Sequence, residues 1–280
     1  MVLNNKKQFY LLIAPAALVL LVMFVIPVIF ILFSSFKDGG IANYQTFLLD
    51  PFYLGILWNT IKISLITTIV CLAVGYPVAY FLARSESKTK NILMIIILFP
   101  FLVSSVVRSY GWMVILGKKG LVNQFLLAIG VIDSPIKIMY TSTAVILGLV
   151  HLLLPYMIFS LAGIIQGIDS NLEYASESLG GSRLRTFFQI LLPLSAPGIL
   201  SGSILVFTLS MTSYVTPRLL GGANFLMIGT MVFQEISINF DWGMASAISY
   251  ILLFFILIFL FLFNMLGSRI NNRIGGTSHV

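Results

Sequence analysis

Side chains able to do acid–base, nucleophilic or metal chemistry are scarce: two histidines, one cysteine and nine carboxylates in 280 residues. His279 sits at the tail, and His151 lies inside a long apolar run that contains no acid. A proton relay needs partners, so His151 reads first as a packed histidine and second as a pathway group. Cys71 is alone, which excludes an internal disulfide and a thiolate metal cluster. It reads as a small apolar packing residue. No Gly-x4-Gly-Lys-Ser/Thr phosphate loop occurs. In the nearest decoy, Gly111 to Lys119, the glycine spacing is wrong and Lys119 replaces the hydroxyl residue. His-Glu-x2-His and Gly-x-Ser-x-Gly are also absent. A membrane enzyme would need a convergent set of reactive polar groups, and the candidates are too sparse for one.

The elements that carry these residues are written in the composition. Apolar residues make up 59% of the chain, charged residues 9%, and the mean hydropathy is +1.05. A soluble domain is roughly 45–50% apolar and about 25% charged. Such a chain cannot cover a globular surface with polar groups, so its solvent is lipid. Stretches free of Asp, Glu, Lys and Arg run over 8–36, 63–83, 91–107, 138–168, 186–217 and 242–268. Crossing the hydrocarbon core takes roughly 20 residues of helix, and backbone groups in lipid must be satisfied within the segment. The expectation is an all-α polytopic bundle, one transmembrane domain over 1–280, with spans near 10–33, 59–83, 92–113, 140–165, 189–213 and 244–267. The first apolar stretch is too long for a cleaved signal of about 7–15 apolar residues, so it reads as a retained helix. Leu121–Ile132 is too short to span and reads as a re-entrant or interfacial helix.

The net charge of +7 is spread between the apolar runs, which points to topology and headgroups and away from nucleic acid, whose binding needs a clustered basic face. With the N-terminus inside, nine Lys and Arg lie on the cytosolic side and seven outside, the inside loops being shorter. Six spans then put both termini in the cytosol. Trp58, Trp112 and Trp242 fall near the proposed outer interface, as aromatic belts do. Gly163-x3-Gly167 and Gly198-x3-Gly202 are small-residue pairs of the kind that let helices approach closely in lipid.

One cytosolic segment, 166–193, does not read as a plain loop. Asp169 or Ser170 can cap a helix, with Glu173 in its first turn. Leu172, Ala175 and Leu179 share a stripe, Gly180-Gly181 ends the helix, and a second helix begins near Ser182. Periodicity alone is consistent with an amphipathic helix resting on headgroups.

The pattern Ala175-Ser176-x3-Gly180-x9-Ile190-x-Leu192-Pro193 resembles the cytosolic signature of ABC importer permeases, usually Glu-Ala-Ala-x3-Gly-x9-Ile-x-Leu-Pro. Tyr174 stands where that signature has Glu, Ser176 replaces the second Ala, and Glu173 and Glu177 flank the site. Gly75-Tyr76-Pro77-Val78-Ala79-Tyr80-Phe81-Leu82-Ala83 is similar to the end of the second span in spermidine/putrescine permeases. So are Gly130-Val131-Ile132-Asp133-Ser134-Pro135, Leu147-Gly148-Leu149-Val150, and Tyr214-Val215-Thr216-Pro217 with Leu219-Leu220-Gly221-Gly222. The resemblance covers nearly the whole chain and is strongest over 59–235.

It implies a type I importer permease of the bacterial inner membrane, non-catalytic, taking up polyamines or another small organic solute. The implied partners are two copies of a cytosolic ATPase that binds ATP and Mg, a second homologous permease and a substrate-binding protein. It makes 172–182 a coupling helix that docks on the ATPase, with Glu173, Tyr174, Ala175, Glu177 and Gly180 as its coupling residues. All nine acids lie outside the charge-free stretches. A polyamine path would therefore draw on Glu235 and Asp241 near the outer mouth and on the aromatic faces of Tyr110, Tyr156 and Tyr214. Arg108 and Lys62 should face away from such a path or pair with acids. The competing reading is a stand-alone secondary transporter, which usually shows inverted repeats and midplane ionisable groups; neither is evident.

Overall fold

The computed structural model describes residues 6–37 and 39–274. Those residues form helices in the order α1 (Lys6–Ser35), α2 (Ile41–Leu49), α3 (Pro51–Arg84), α4 (Ser87–Leu102), α5 (Ser105–Leu116), α6 (Leu121–Ala128) and α7 (Ser142–Gln166). There follow α8 (Asn171–Ser178), α9 (Arg183–Thr186), a π-helical turn Phe187–Leu191, α10 (Leu192–Leu194) and α11 (Ala196–Met211). The chain closes with a second π turn Pro217–Gly221, α12 (Ile228–Gln234), a third π turn Glu235–Asn239 and α13 (Trp242–Ile274).

Four stretches are long and apolar enough to cross a bilayer: Ile13–Ser35, Pro51–Arg84, Ser142–Gln166 and Trp242–Met265. Two more candidates are broken. The stretches Lys88–Leu102 and Ser105–Ala128 bend by 96°, and Arg183–Leu194 and Ala196–Met211 bend by 66°. The third span, expected as one helix over 92–113, is thus interrupted at 103–104. Pro100 lies one turn before the break, and Ser104 restarts the helix by accepting a bond from the Val106 amide at 3.3 Å. The fifth span is interrupted at Ser195, between Pro193 and Pro197. The helix of the second span, α3, starts at Pro51, eight residues before the expected 59, because proline is pre-organised for a first helical position.

The described chain divides into two compact units. One comprises residues up to 54 with 231–253. In it the side chains of α1 from Leu18 to Phe33 point their apolar surface outward, as lipid-facing residues do. Tyr44 donates its hydroxyl hydrogen bond to Ser35 Oγ at 2.7 Å, Tyr250 donates to the Val28 carbonyl, and Phe47 is fully buried.

The other unit comprises 55–230 with 254 onward. Its core is α7, capped by Thr141, whose hydroxyl accepts from the Ala144 amide at 3.4 Å. Leu153, Met157, Leu161 and Ile165 of α7 pack with Cys71, Ala79 and Leu82 of α3 and Val206 of α11. Glycine is required where α11 crosses α7. A Cβ on Gly202 would come within 2.7 Å of Met157 Sδ, and one on Gly198 within 3.0 Å of Ile164. Gly198-x3-Gly202 is a close-approach seam. Gly163 has open space beside it, so the other small-residue pair is not such a seam.

Candidate functional site

The segment joining α7 to α11 is built from short-range signals. The Asp169 carboxylate accepts from the Asn171 amide at 2.9 Å and turns the chain into α8. Ser170, the other candidate cap, makes no side-chain cap bond. The helix was expected over 172–182 but ends at Ser178. Gly180 adopts φ of +83°, its amide donates to the Glu177 carbonyl at 3.0 Å, and the Gly181 amide donates to the Ser176 carbonyl at 2.9 Å. That double closure is a Schellman stop, which needs a left-handed residue in Gly180's place. Ser182 then caps α9, and a hydrogen bond of 2.8 Å joins the Ser176 and Thr186 hydroxyls across the turn.

No residue of α8 is buried. Leu172, Ala175 and Leu179, the expected apolar stripe, are all exposed, Leu179 to 89%, and Tyr174 beside them to 66%. Among the described residues, none covers that stripe. Glu177 is half exposed and stands 4.0 Å from the exposed Arg183, a loose pair that solvent screens.

Glu173 differs. One carboxylate oxygen accepts from Arg84 Nε at 2.9 Å and Nη2 at 2.6 Å, and the other accepts from the Tyr80 hydroxyl at 2.6 Å. Arg84 also donates from Nη1 to the Ile168 carbonyl at 3.0 Å. The Glu173 side chain is only 15% exposed. Of the two acids expected to face an ATPase, Glu173 is therefore engaged within the chain, and Glu177 is the one open to solvent. One turn back on α3, Tyr76 shares a buried hydrogen bond of 2.8 Å with Ser195, the residue at the break of the fifth span. The rings of Tyr76 and Phe187 meet edge to face at 5.1 Å. Tyr76, Tyr80, Arg84 and Glu173 line one groove of about 1020 Å³. Sequence reasoning missed this set. Its signal was the spacing of Tyr76, Tyr80 and Arg84, each four residues from the next and hence on one helix face.

The candidate path residues are less convergent. Tyr110 and Tyr214 are exposed, and Tyr156 packs edge to face on Phe101 at 4.9 Å. These tyrosines belong to one compact unit, Glu235 and Asp241 to the other. Glu235 was expected at an open mouth. It is buried, and Asn239 donates to its carboxylate at 2.8 Å. Asp241 accepts from the Met244 amide at 2.8 Å and so caps α13. Arg108 keeps a buried Nε without a hydrogen-bond partner, whereas Lys62 is exposed. His151 accepts on Nδ1 from the Trp112 indole at 3.1 Å, a packed and satisfied arrangement. Among the described residues, no group of three or more His, Cys, Asp or Glu side chains could hold a metal ion.

Apolar helices long enough to cross a bilayer, joined by a loop whose apolar stripe no described residue covers, define a polytopic membrane protein with a face for another protein or a surface. Residues 75–275 match the family described as binding-protein-dependent transport system inner membrane component. The chain belongs to that family: it is a multi-pass inner-membrane permease subunit of an ABC importer, a transport component and not a catalyst. It is 37% identical over 258 residues to the spermidine/putrescine transport system permease protein PotB of Haemophilus influenzae, covering 89% of this chain and 90% of that one. It is 39% identical over 242 residues to the Escherichia coli K12 protein of the same name, covering 83% and 88%. Among solved structures, a bacterial ABC transporter that imports alginate superposes with a TM-score of 0.78 at 16% identity, over 94% of this chain and 96% of that one. The type I permease fold is thereby shared, at an identity that speaks to the fold alone.

Proposed function

We propose that this chain is the permease subunit of a polyamine importer, carrying spermidine or putrescine handed over by an extracytoplasmic binding protein. The observation that carries the reading is the 37–39% identity to permeases of spermidine/putrescine systems over 83–89% of the chain. The whole chain acts as one transmembrane domain, paired with a second, homologous permease and with two copies of a cytosolic ATPase. ATP and Mg react on that ATPase, and this chain contributes no cofactor site.

Parity of crossings supports the topology. Arg84, at the end of α3, and Glu173, in α8, touch at 2.6 Å and so share one side of the membrane. Between them α7 crosses once, so the bent α4–α5 pair must cross once as well. Counting the second bent pair likewise gives six spans with both termini on one side; the bias of Lys and Arg toward the short loops supports making that side the cytosol, and α8 then lies on the cytosolic face. There α8 docks on the ATPase through Leu172, Tyr174, Ala175 and Leu179, with Glu177 as its solvent-facing acid and Gly180 as the stop that keeps the knob short. Glu173 belongs to the same coupling element, acting from its inner side. The polyamine path draws on the tyrosine faces of Tyr110, Tyr156 and Tyr214, each worth roughly 0.5–2 kcal/mol toward an ammonium, and on the charge of Glu235 and Asp241.

The test is uptake into proteoliposomes containing the purified complex, with labelled spermidine or putrescine and ATP inside. The reading expects ATP-dependent uptake that unlabelled polyamine competes away and that amino acids, sugars and oxyanions leave intact. Competition by one of those other solutes and not by polyamine would reassign the substrate. Uptake by this chain alone would replace the importer reading with a secondary transporter.

A further inference from the structure

We infer that Arg84, Glu173 and Tyr80 form the mechanical link that carries motion of the docking helix into the second span. The inference rests on the reading of α8 as the docking helix and extends it to residues that the cytosolic signature does not contain.

A docked helix moves the spans only if it is fastened to one of them. Along the chain, α8 is attached to α7 through the turn 167–170 and to α9 through the Schellman stop. Neither joint is a rigid extension of a span. The lateral contact is stiffer. Glu173 receives three hydrogen bonds, two from the Arg84 guanidinium and one from the Tyr80 hydroxyl, and both of its oxygens are used. Arg84 is at the same time bonded to the Ile168 carbonyl, so it holds both α8 and the turn leading into it. Two charge-assisted bonds to one oxygen, with the Tyr80 bond on the other, hold the carboxylate from both sides. Their partial burial, 21% and 15% side-chain exposure, limits screening.

The same face of α3 grips the far arm of the loop. Tyr76, one turn before Tyr80, is bonded to Ser195 and stacked edge-on against Phe187. Two of the chain's cytosolic-side joints, one at α8 and one at the break of the fifth span, are thus tied to a single stripe of α3. Pulling on α8 draws on Arg84 and Tyr80, and the stripe conveys the same displacement to Ser195. Arg84 and Glu173 are positioning residues in this scheme, since neither needs to touch the ATPase or the cargo.

The experiment uses the full complex with its ATPase, second permease and binding protein. It compares wild type with Arg84→Gln, Glu173→Gln, Tyr80→Phe and the charge exchange Arg84→Glu/Glu173→Arg. Three quantities are read: co-purification of the ATPase, stimulation of ATP hydrolysis by loaded binding protein, and uptake. Arg84→Gln and Glu173→Gln should retain the ATPase. They should lose uptake and stimulation together by roughly two- to thirtyfold, the range for changes along a coupling element. Tyr80→Phe should lose less, and the exchange should recover a substantial part of both readouts. Normal stimulation and uptake in both single variants would overturn the link. So would loss of the ATPase from Glu173→Gln without recovery in the exchange, because Glu173 would then be meeting the ATPase itself. Failure of the ATPase to co-purify with wild type would instead remove the docking reading, which separates the two outcomes.

Discussion

The loop 169–195 and the proposed polyamine path put polar side chains to opposite uses. In the loop they are spent on geometry. Asp169 starts a helix, Gly180 stops it, Ser182 starts the next, and Glu173 is clamped by Arg84 and Tyr80. What remains exposed is an apolar stripe, Leu172, Ala175 and Leu179. Along the path candidates the order is reversed. Tyr110 and Tyr214 are exposed, while the carboxylates behind the cationic reading are occupied structurally, Glu235 by Asn239 and Asp241 by the start of α13. A docking knob must be rigid and presents greasy surface to a partner. A path must let its cargo go, so it leans on weak contacts and keeps its few charges tied down.

The largest effect expected from breaking this contrast is at Gly180. Any Cβ residue at φ of +83° is strained, and open space surrounds the glycine, so backbone and bulk separate cleanly. The left-handed conformation alone costs a non-glycine residue about 1–2 kcal/mol. Gly180→Ala should therefore lower coupled transport by roughly five- to thirtyfold. Gly180→Trp should abolish it while the chain still inserts, as measured by uptake and ATP hydrolysis on the same preparation. Normal transport by Gly180→Trp would remove the docking role.

Next come the two acids, where charge and structure can be told apart. Asp241→Asn keeps a capping side chain and removes the charge, whereas Asp241→Ala removes both at a cost of about 1 kcal/mol in stability. If the charge serves the polycation, Asp241→Asn and Glu235→Gln each weaken polyamine uptake with thermal stability little changed by Asp241→Asn. Loss of stability in Asp241→Ala with full uptake in Asp241→Asn would make Asp241 a cap and nothing more. Tyr110→Leu, Tyr156→Leu and Tyr214→Leu should each change turnover by roughly two- to thirtyfold, the worth of one cation–π contact. Unchanged uptake in all five positions would place selectivity in the binding protein and the partner permease. The smallest effect belongs to Tyr174→Ala. Tyr174 is one of several contacts on the docking face, and its truncation leaves the helix and its Gly180 stop intact, so transport should fall by about twofold, well short of Gly180→Trp.

The apolar stretches and the loop helix were legible because both are local signals: hydropathy over a window, and capping residues at fixed offsets. The breaks were hidden by the same method. A search for charge-free runs passes over Ser104 and Ser195, which are uncharged yet end and restart helices. Pro51 announced the early start of α3, but the apolar run after Lys62 drew the boundary later. The Arg84–Glu173 pair spans 89 residues, a separation at which no local pattern identifies a partner. The acids were placed by topology alone, which assigns a side of the membrane and leaves burial open, and so Glu235 was expected in the open.

The central claim is that the uncovered face of α8 meets an ATPase. It is tested most directly by a photo-reactive group attached at Leu179→Cys in a Cys71→Ser background, where no other cysteine of this chain competes. The same probe at Ile69→Cys, exposed on α3 within the expected second span, serves as the control. On illumination of the intact complex in membranes, the Leu179 probe should yield a covalent adduct with the ATPase subunit, identified by mass, and the Ile69 probe none. Lipid adducts at Leu179 with no ATPase adduct would mean that α8 rests on headgroups, and would contradict the account.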